Sequence, residues 1–410
     1  MAFDVNAIQV IDTCEQIAHA YDWAPGETGL IHVLLGNHHL MADIHAAELK
    51  NAGGSWEDEG VGPYQKLKDG IVDSEAQREA IFHYLERLPN VVLTSDWKCQ
   101  WISFHELYGL DEPVITPDNW EELDRKIRDA YSDRESWHAE ILSRAGIKTL
   151  FWCYGPPILA SRCRGVLLLT DFLDLQKGGI SDPDELAGQF RSWIEMEIQR
   201  YNPVALKIDS AYRRDIRFRD PDAKEIAKGL SELGEEDPLA NHRAVNDFIH
   251  ELAAEWASRH ALPVQIHTGL LSGNAYRHRM DEIYSHHLEA YIARHPETAF
   301  DIFHSGFPQW EEGMVLARRY PNVYLNLCWL TSISESLTNT ILEAALEAVP
   351  VNKILWGGGT QSPEMAFGVL TLFRSILERV LYIKDIPDEP KEEIADRLLW
   401  KNASKLYHLS

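Results

Sequence analysis

The chain has 410 residues, of which 45% are hydrophobic and 25% are charged, and its formal net charge is −25. This composition is typical of a globular protein, and the length allows one large barrel domain with insertions. The acidic surplus argues against nucleic acid or an anionic membrane as a partner, because both bind to basic surfaces.

The start of the chain and its cysteines indicate a cytoplasmic protein. Acidic residues occur in "MAFDVNAIQVIDTCEQ", where a secretory leader has basic ones. No apolar run reaches the roughly 18 residues of a membrane span. The five cysteines show no CxxC spacing, which predicts reduced thiols. We therefore expect no contact with membranes, and the composition leaves open whether the chain forms a homo-oligomer.

Eight short apolar runs alternate with amphipathic stretches of helical length. The runs lie at 8–14, 147–154, 165–172, 203–209, 263–269, 299–306, 322–330 and 352–358. Their almost continuous apolar character predicts strands buried on both faces, and hence a parallel sheet. Eight strand–helix repeats predict an α/β fold of the (β/α)8 TIM-barrel type, with its active site at the carboxyl ends of the strands. A doubly wound sheet would need a glycine-rich turn after the first strand, and "DTCEQIAH" has no glycine.

The segment 17–146 is too long for one strand–helix unit. Its amphipathic patterns predict a mostly helical insertion after strand 1, placed over the barrel mouth. The barrel then comprises 1–16 and 147–410. A Gly- and Asp-rich stretch, "NAGGSWEDEGVGP" at 51–63, lies within the insertion. Long segments of this kind frequently carry substrate contacts.

Two histidines end consecutive predicted strands. His267 in "VQIHTG" and His304 in "FDIFHSG" are 37 residues apart, close to the length of one strand–helix unit. Their rings should therefore be neighbours at the barrel mouth. Two such nitrogens suit a transition metal, zinc in particular. The alternative is that each histidine is hydrogen-bonded within a loop network.

A basic group follows the fourth predicted strand. Lys207 ends "PVALKID", where a lysine can bind a carboxylate, act as a base or carry a metal-bridging carbamate. Tyr212 and Arg213 come just beyond, and arginine binds carboxylates through two parallel hydrogen bonds. A small acidic substrate is consistent with these residues, and so is a surface ion pair with one of the many acidic side chains.

Four stretches, taken together, resemble the amidohydrolase superfamily, in its amidohydrolase-related branch near the uronate isomerases. "VIDTCEQI" is similar to the Asp-Thr-His-x-His signature of the first strand, and "VALKIDSAYRR" to the fourth strand and its loop. The two histidine strands resemble the fifth and sixth, and "VYLNLCWL" with "VPVNKILWGG" resembles the last two. The segment 34–49 is similar to a His-Tyr segment that helps to hold substrate in uronate isomerases, which implies a substrate-binding role for His38.

The chain departs from this family at three metal-anchoring positions. Cys14 and Gln16 stand where the family has histidines, and Gly359 stands where it has an aspartate that serves as ligand and general base. Cys14 as a thiolate could join His267 and His304 to give the three protein ligands of a catalytic zinc. General-base assistance is typically worth about 10²–10⁴-fold, so without the aspartate we do not expect hydrolysis by the ordinary family mechanism.

Three functions are compatible with these residues. The first is an enzyme acting on a small carboxylated substrate, a sugar acid or its lactone, as an isomerase, lyase or hydrolase. His267 and His304 would then be the acid–base pair, with Lys207 as electrostatic clamp or nucleophile. The candidates for substrate binding are His38, Tyr212, Arg213 and Trp329. The second function is a non-catalytic binder of small acids that has lost the metal. The third is a zinc hydrolase with a Cys14/His267/His304 site, so the expected cofactor is either none or one divalent metal.

Overall fold

Eight parallel strands form one sheet, in chain order, in the computed structural model. It describes residues 4–15, 28–47, 74–153, 159, 161–176, 180, 182–234, 237–271, 279–384 and 386–409. The strands are β1 (Val10–Glu15), β2 (Ile147–Trp152), β3 (Cys163–Leu168), β4 (Ala205–Ile208), β5 (Val264–Ile266), β6 (Phe300–Ile302), β7 (Val323–Asn326) and β8 (Ile354–Leu355). Each run predicted from the sequence overlaps one of these strands, and the predicted TIM barrel is confirmed.

The last strand meets the first through hydrogen bonds just beyond the end of β8. The Gly359 amide donates to the Cys14 carbonyl at 2.6 Å, and the Gly358 amide donates to Asp12 Oδ1 at 2.8 Å. The Thr13 hydroxyl donates to the carbonyl of Trp356 at 2.8 Å. The barrel is therefore nearly closed, and residues 357–359 lie directly against Cys14.

Helices fill the segment between β1 and β2 and follow the later strands. The segment contains α1 (Leu30–Leu35), α2 (His38–Ala47), α3 (Ser74–Arg87), α4 (Ser95–Tyr108), α5 (Trp120–Ala130) and α6 (Arg134–Ala145). The barrel helices are α7 (Leu169–Leu175), α8 (Pro183–Tyr201), α9 (Ala223–Glu232), α10 (Arg243–Arg259), α11 (Glu289–Arg294), α12 (Trp310–Arg319), α13 (Leu330–Ile333), α14 (Glu335–Ala348), α15 (Pro363–Ile383), α16 (Asp388–Asp396) and α17 (Asn402–Leu406), with a π-helical turn at Arg397–Lys401. None of these described helices is long and apolar enough to cross a membrane.

The inserted segment has its own hydrophobic cluster. Buried side chains between Leu30 and Tyr131 pack together, apart from the large cluster of the barrel. Helix α6 differs, because its buried Ile141 and Leu142 belong to the barrel cluster. The predicted boundary at residue 17 and the stretch 51–63 both lie outside the described residues, so the division into domains stays a prediction.

A buried carboxyl joins the insertion to the barrel. Glu364, at the start of α15, is fully buried and accepts hydrogen bonds from the hydroxyls of Tyr108 at 2.7 Å and Tyr131 at 2.9 Å. Burial raises the pKa of Glu364 above its usual value. Close by, α15 touches α4, since a Cβ at Gly368 would lie 2.0 Å from the carbonyl oxygen of Cys99. These contacts fix α4 against the barrel.

Candidate active site

Polar side chains fill the barrel interior below its mouth. Lys207 pairs in register with Gln265, and Gln265 pairs with Asp301, so the three residues form one layer across β4, β5 and β6. Side chains two residues apart on a strand point to the same face. Gln265 precedes His267 by two residues, so Lys207, which is level with Gln265, lies one layer deeper than His267.

Asp301 is the acid of this buried layer. Its Oδ2 accepts hydrogen bonds from Asn326 Nδ2 at 2.9 Å and from the hydroxyl of Tyr407, which reaches up from the C-terminal segment. Its Oδ1 is buried and has no hydrogen-bond partner in the described part of the chain. Burial raises the pKa of Asp301 to about 7, although Tyr407 and Asn326 oppose the shift. The protein therefore holds a proton here that an exposed aspartate would lose.

We expect Asp301→Asn to flatten the dependence of folding stability on pH. The carboxyl titrates near pH 3.8 when unfolded and near 7 when folded, so the stability it contributes is lost as the pH rises between these values. A pKa shift of one unit corresponds to about 1.4 kcal/mol. As the pH rises over this range, the free energy of unfolding of the asparagine variant should therefore increase relative to that of wild type by up to about 4 kcal/mol. The measurement is urea unfolding between about pH 4 and 8. Asp118→Asn, at an exposed position, is the control, and a gain of the same size there would contradict the assignment.

The two histidines predicted from the strand ends meet in the structure. His304 Nε2 and His267 Nδ1 are 3.2 Å apart, and the two rings are nearly fully buried. His304 follows β6 in a left-handed conformation with φ of 61°, which few residues other than glycine adopt. This turn carries the His304 ring toward His267.

Each ring is oriented by a backbone carbonyl on its far side. His267 Nε2 lies 2.9 Å from the Leu270 carbonyl oxygen, and His304 Nδ1 lies 3.0 Å from that of Cys328. A carbonyl only accepts hydrogen bonds, so both of these ring nitrogens carry hydrogen. In the neutral rings the two nitrogens that face each other therefore carry none. Their opposed lone pairs make the pair an acceptor for one shared cation, either a proton or a metal.

Burial keeps both rings neutral. It lowers the pKa of His267 to about 3, with a further contribution from the charge of Lys207. It also lowers the pKa of His304 well below its usual value, with the neighbouring His267 acting in the same direction. Near pH 7 the pair is thus in its basic form.

Lys207 contacts Cys14, which is hydrogen-bonded to a second cysteine. Its Nζ donates to Cys14 Sγ at 3.8 Å and lies 4.7 Å from the centre of the Phe303 ring. A hydrogen bond with Cys328 and the charge of Lys207 lower the pKa of Cys14, against the effect of burial. Burial raises the pKa of Cys328, so Cys328 is the thiol donor and Cys14 the acceptor. The ammonium of Lys207 thus lies beside the sulfur that accepts the hydrogen bond of the Cys328 thiol.

Trp329 covers the histidine pair. Its ring stacks on His304 with centroids 4.0 Å apart and planes inclined by 19°, and its Nε1 donates to the Gly359 carbonyl at 2.7 Å. A Cβ at Gly359 would lie 2.2 Å from Trp329 Cδ1. The indole therefore occupies the space into which an aspartate at 359 would extend.

The residues that the structure describes do not fit a catalytic zinc. The facing nitrogens of His267 and His304 have the right separation, because two nitrogens bound to zinc at about 2.0–2.1 Å stand about 3.3 Å apart in a tetrahedral site. However, the described residues contain no group of three His, Cys, Asp or Glu side chains able to hold a metal ion. Cys14 does not complete such a group, position 359 offers no carboxylate, and Gln16 lies outside the described residues.

The predicted substrate-binding residues are not all at the mouth. Tyr212 is half-buried, with its ring centroid 4.6 Å from that of His267, and Trp329 covers the site as described. Arg213 is exposed and donates to Asp174, so it makes a surface ion pair in this structure. His38 begins α2, but its side chain lies outside the described residues. The substrate-binding roles of these residues stay predictions.

The structure adds acidic and aromatic groups that the sequence did not single out. His39 meets Trp329 edge-on, with ring centroids 4.5 Å apart. Asp209 comes directly after β4, and burial raises its pKa. Asp171, in the first turn of α7, has its pKa raised to about 6 by burial and by the charge of Asp209. An acid directly after a strand was the signal for Asp209, whereas the adjacency of His38 and His39 gave no basis for a choice.

The fold and this site define a class: a TIM barrel whose polar groups gather at the carboxyl ends of its strands. The model of the amidohydrolase family matches residues 192–409, more than half of the chain. The chain therefore belongs to the amidohydrolase family, as its resemblance predicted.

Three known proteins show similarity to the chain in sequence or in fold. It is similar to protein fluG of Emericella nidulans, with 30% identity over 198 residues, which are 46% of this chain and 22% of that protein. The chain thus matches less than a quarter of that relative. A uronate isomerase from Thermotoga maritima has the same fold, with a TM-score of 0.70, 11% identity and coverage of 98% and 95% of the two chains. A proposed metal-dependent hydrolase from Lactobacillus casei gives a TM-score of 0.64 at 14% identity, over 98% and 96%.

Proposed function

We propose that this protein is an enzyme that moves a proton next to the carbonyl group of a small carboxylated substrate, a sugar acid or its lactone, as an isomerase or lyase. The observation that carries the proposal is the contact between His267 and His304, whose unprotonated nitrogens face each other. Membership of a family whose relatives include enzymes supports catalysis. The shared fold with a uronate isomerase supports the substrate class.

The histidine pair would serve as the base. One facing nitrogen takes the proton from the carbon beside the carbonyl, and the electron pair of the broken C–H bond moves to the carbonyl oxygen. The proton is then held between His267 and His304 and delivered to the former carbonyl carbon, while the proton of the neighbouring hydroxyl moves to the former carbonyl oxygen. The product is an isomer with the same atoms, formed by general acid–base catalysis. The ammonium of Lys207 would stabilise the anionic oxygen or the carboxylate. No water attacks the substrate, so this chemistry tolerates glycine at position 359.

The substrate would have to displace the indole of Trp329. A cavity of about 20 Å³ lies beside Trp329, and a single water needs roughly 10–15 Å³. A sugar acid therefore does not fit while the indole stacks on His304. Movement of Trp329 would join this cavity to the histidine pair.

The test is proton exchange measured by NMR. Purified protein is incubated with hexuronates, aldonates and their lactones in D2O, and deuterium uptake at the carbon beside the carbonyl is followed together with any new product. Exchange that persists after treatment with a chelator would support the proposal. Binding without exchange would instead show a non-catalytic binder, and exchange that disappears on chelation and returns with zinc would show a metal enzyme.

We expect Lys207→Met to weaken binding of the acid about 100-fold, because a hydrogen bond to a charged group contributes about 1.5–3 kcal/mol. Methionine keeps most of the buried volume, which limits any loss from a cavity. Isothermal titration calorimetry measures the affinity, and circular dichroism checks the fold. Lys228→Met, at an exposed position on α9, is the control. Unchanged affinity in a folded Lys207→Met protein would remove Lys207 from the binding site.

A further inference from the structure

A small cavity lies between the inserted segment and the barrel mouth. Its lining includes Asn37 and His39 from the insertion, Trp329 and Gln361 from the barrel, and Asp96 at the start of α4. Among the described residues that line it there is no lysine or arginine. This end of the site is thus suited to a neutral hydrogen-bonding group and not to a carboxylate.

Asp96 is an unusual residue in this wall. It is 4% exposed, and its Oδ1 is buried without a hydrogen-bond partner in the described chain. Asp96 is not needed to cap α4, because the Thr94 hydroxyl already does so by accepting a hydrogen bond from the Trp97 amide. A buried polar atom without a partner is rare in folded proteins, since losing its hydrogen bonds to water is costly. This oxygen of Asp96 is thus available to a ligand.

The neighbours of Asp96 determine which ligand group suits it. Burial raises the pKa of Asp96 well above its usual value, and the nearby Asp43 acts in the same direction. A protonated carboxyl both donates and accepts hydrogen bonds, as does an alcohol. His39 lines the same cavity, and burial keeps it neutral by lowering its pKa to about 4.

We propose that Asp96 is a specificity-determining residue that binds a hydroxyl group of the substrate, at the end opposite the carboxylate held by Lys207. The inference rests on the proposed function, and it narrows the substrate from small acids in general to hydroxylated acids. The insertion thus selects the substrate through α4, which Glu364 and Gly368 hold against the barrel.

The test compares Asp96→Asn with wild type in calorimetric titrations with a hexuronate and with cyclohexanecarboxylate, which lacks hydroxyls. We expect the substitution to weaken hexuronate binding about tenfold, the effect of about one hydrogen bond, and to leave cyclohexanecarboxylate binding unchanged. Glu106→Gln, at an exposed position on the same helix, is the control for helix charge, and thermal unfolding checks that Asp96→Asn folds.

The outcomes separate this inference from the proposed function. Equal loss for both acids, or no loss for either, overturns the role of Asp96 while acid binding itself stands. Wild-type protein that binds neither acid overturns both. Glucosamine binding more tightly than the hexuronate, with loss of that preference in Asp96→Asn, would also overturn the inference, because Asp96 would then bind a cation.

Discussion

Replacing Gly359 with alanine should destabilise the folded protein by at least about 3 kcal/mol. The added Cβ would lie 2.2 Å from Trp329 Cδ1 and 2.7 Å from Cys328 Sγ, and Gly359 has a φ of +70°. Both the collision and the left-handed backbone act against any side chain at this position. Urea unfolding measures the free energy of unfolding for wild type and variant.

Gly188→Ala is the matched control for this prediction. A Cβ at Gly188 meets no atom within 4 Å, and alanine is the better helix former, so stability should stay level or rise by about 0.5–1 kcal/mol. The double variant Trp329→Ala/Gly359→Ala should lose less stability than the sum of the two single variants, because the collision between the added Cβ and the indole is then absent. A stable Gly359→Ala protein would contradict the placement of Trp329.

The same contact explains why Gly359→Asp alone should not create hydrolysis. The aspartate would have to displace Trp329, and the described residues would still lack a group of three metal-binding side chains. The glycine at position 359 therefore does more than remove a carboxylate. Its lack of a side chain is required by the indole that covers the histidine pair.

The second large effect is expected at the histidine pair. His304→Asn and His267→Gln should each lower the rate of proton exchange about 10²–10⁴-fold, the usual contribution of a general base. Asparagine can keep the hydrogen bond to the Cys328 carbonyl and tolerates the left-handed backbone, but it lacks an equivalent of Nε2. Glutamine can keep the bond to the Leu270 carbonyl and lacks an equivalent of Nδ1. Each variant thus removes the facing nitrogen and leaves the orienting contact.

NMR of deuterium uptake measures this loss, and calorimetry measures acid affinity in the same variants. The exposed His260→Gln is the control, and its exchange rate should equal that of wild type. Exchange at the wild-type rate in either variant of the pair would contradict a base at these histidines. Loss of binding and exchange together, with an intact fold, would assign the pair to binding alone.

Local sequence patterns were sufficient for the fold. Each strand is a short apolar run between longer amphipathic stretches, and this periodicity is encoded within a few residues. The proximity of His267 and His304 could also be predicted, because equivalent positions on consecutive strand–helix units meet at the same end of a barrel. Similarly, the resemblance identified the family through the order and spacing of short motifs.

The geometry that gives these residues their chemistry could not be predicted in this way. The tautomer of His304 depends on the carbonyl of Cys328, which lies just beyond the end of β7. The choice between His38 and His39 depends on which face of α2 meets Trp329. Asp96 reaches the cavity because α4 packs on α15, a contact between distant parts of the chain.

The sequence by itself thus determined the barrel, the family and the histidine pair, since these follow from periodicity and from spacing along the chain. Only the tertiary structure decided that Trp329 fills the space beside Gly359, that Lys207 lies one layer below the histidines, and that Asp96, whose buried Oδ1 has no hydrogen-bond partner in the described chain, lines the cavity. The physical reason is that hydrogen bonding, burial and steric exclusion act between side chains that meet only when the barrel closes and the insertion packs on it.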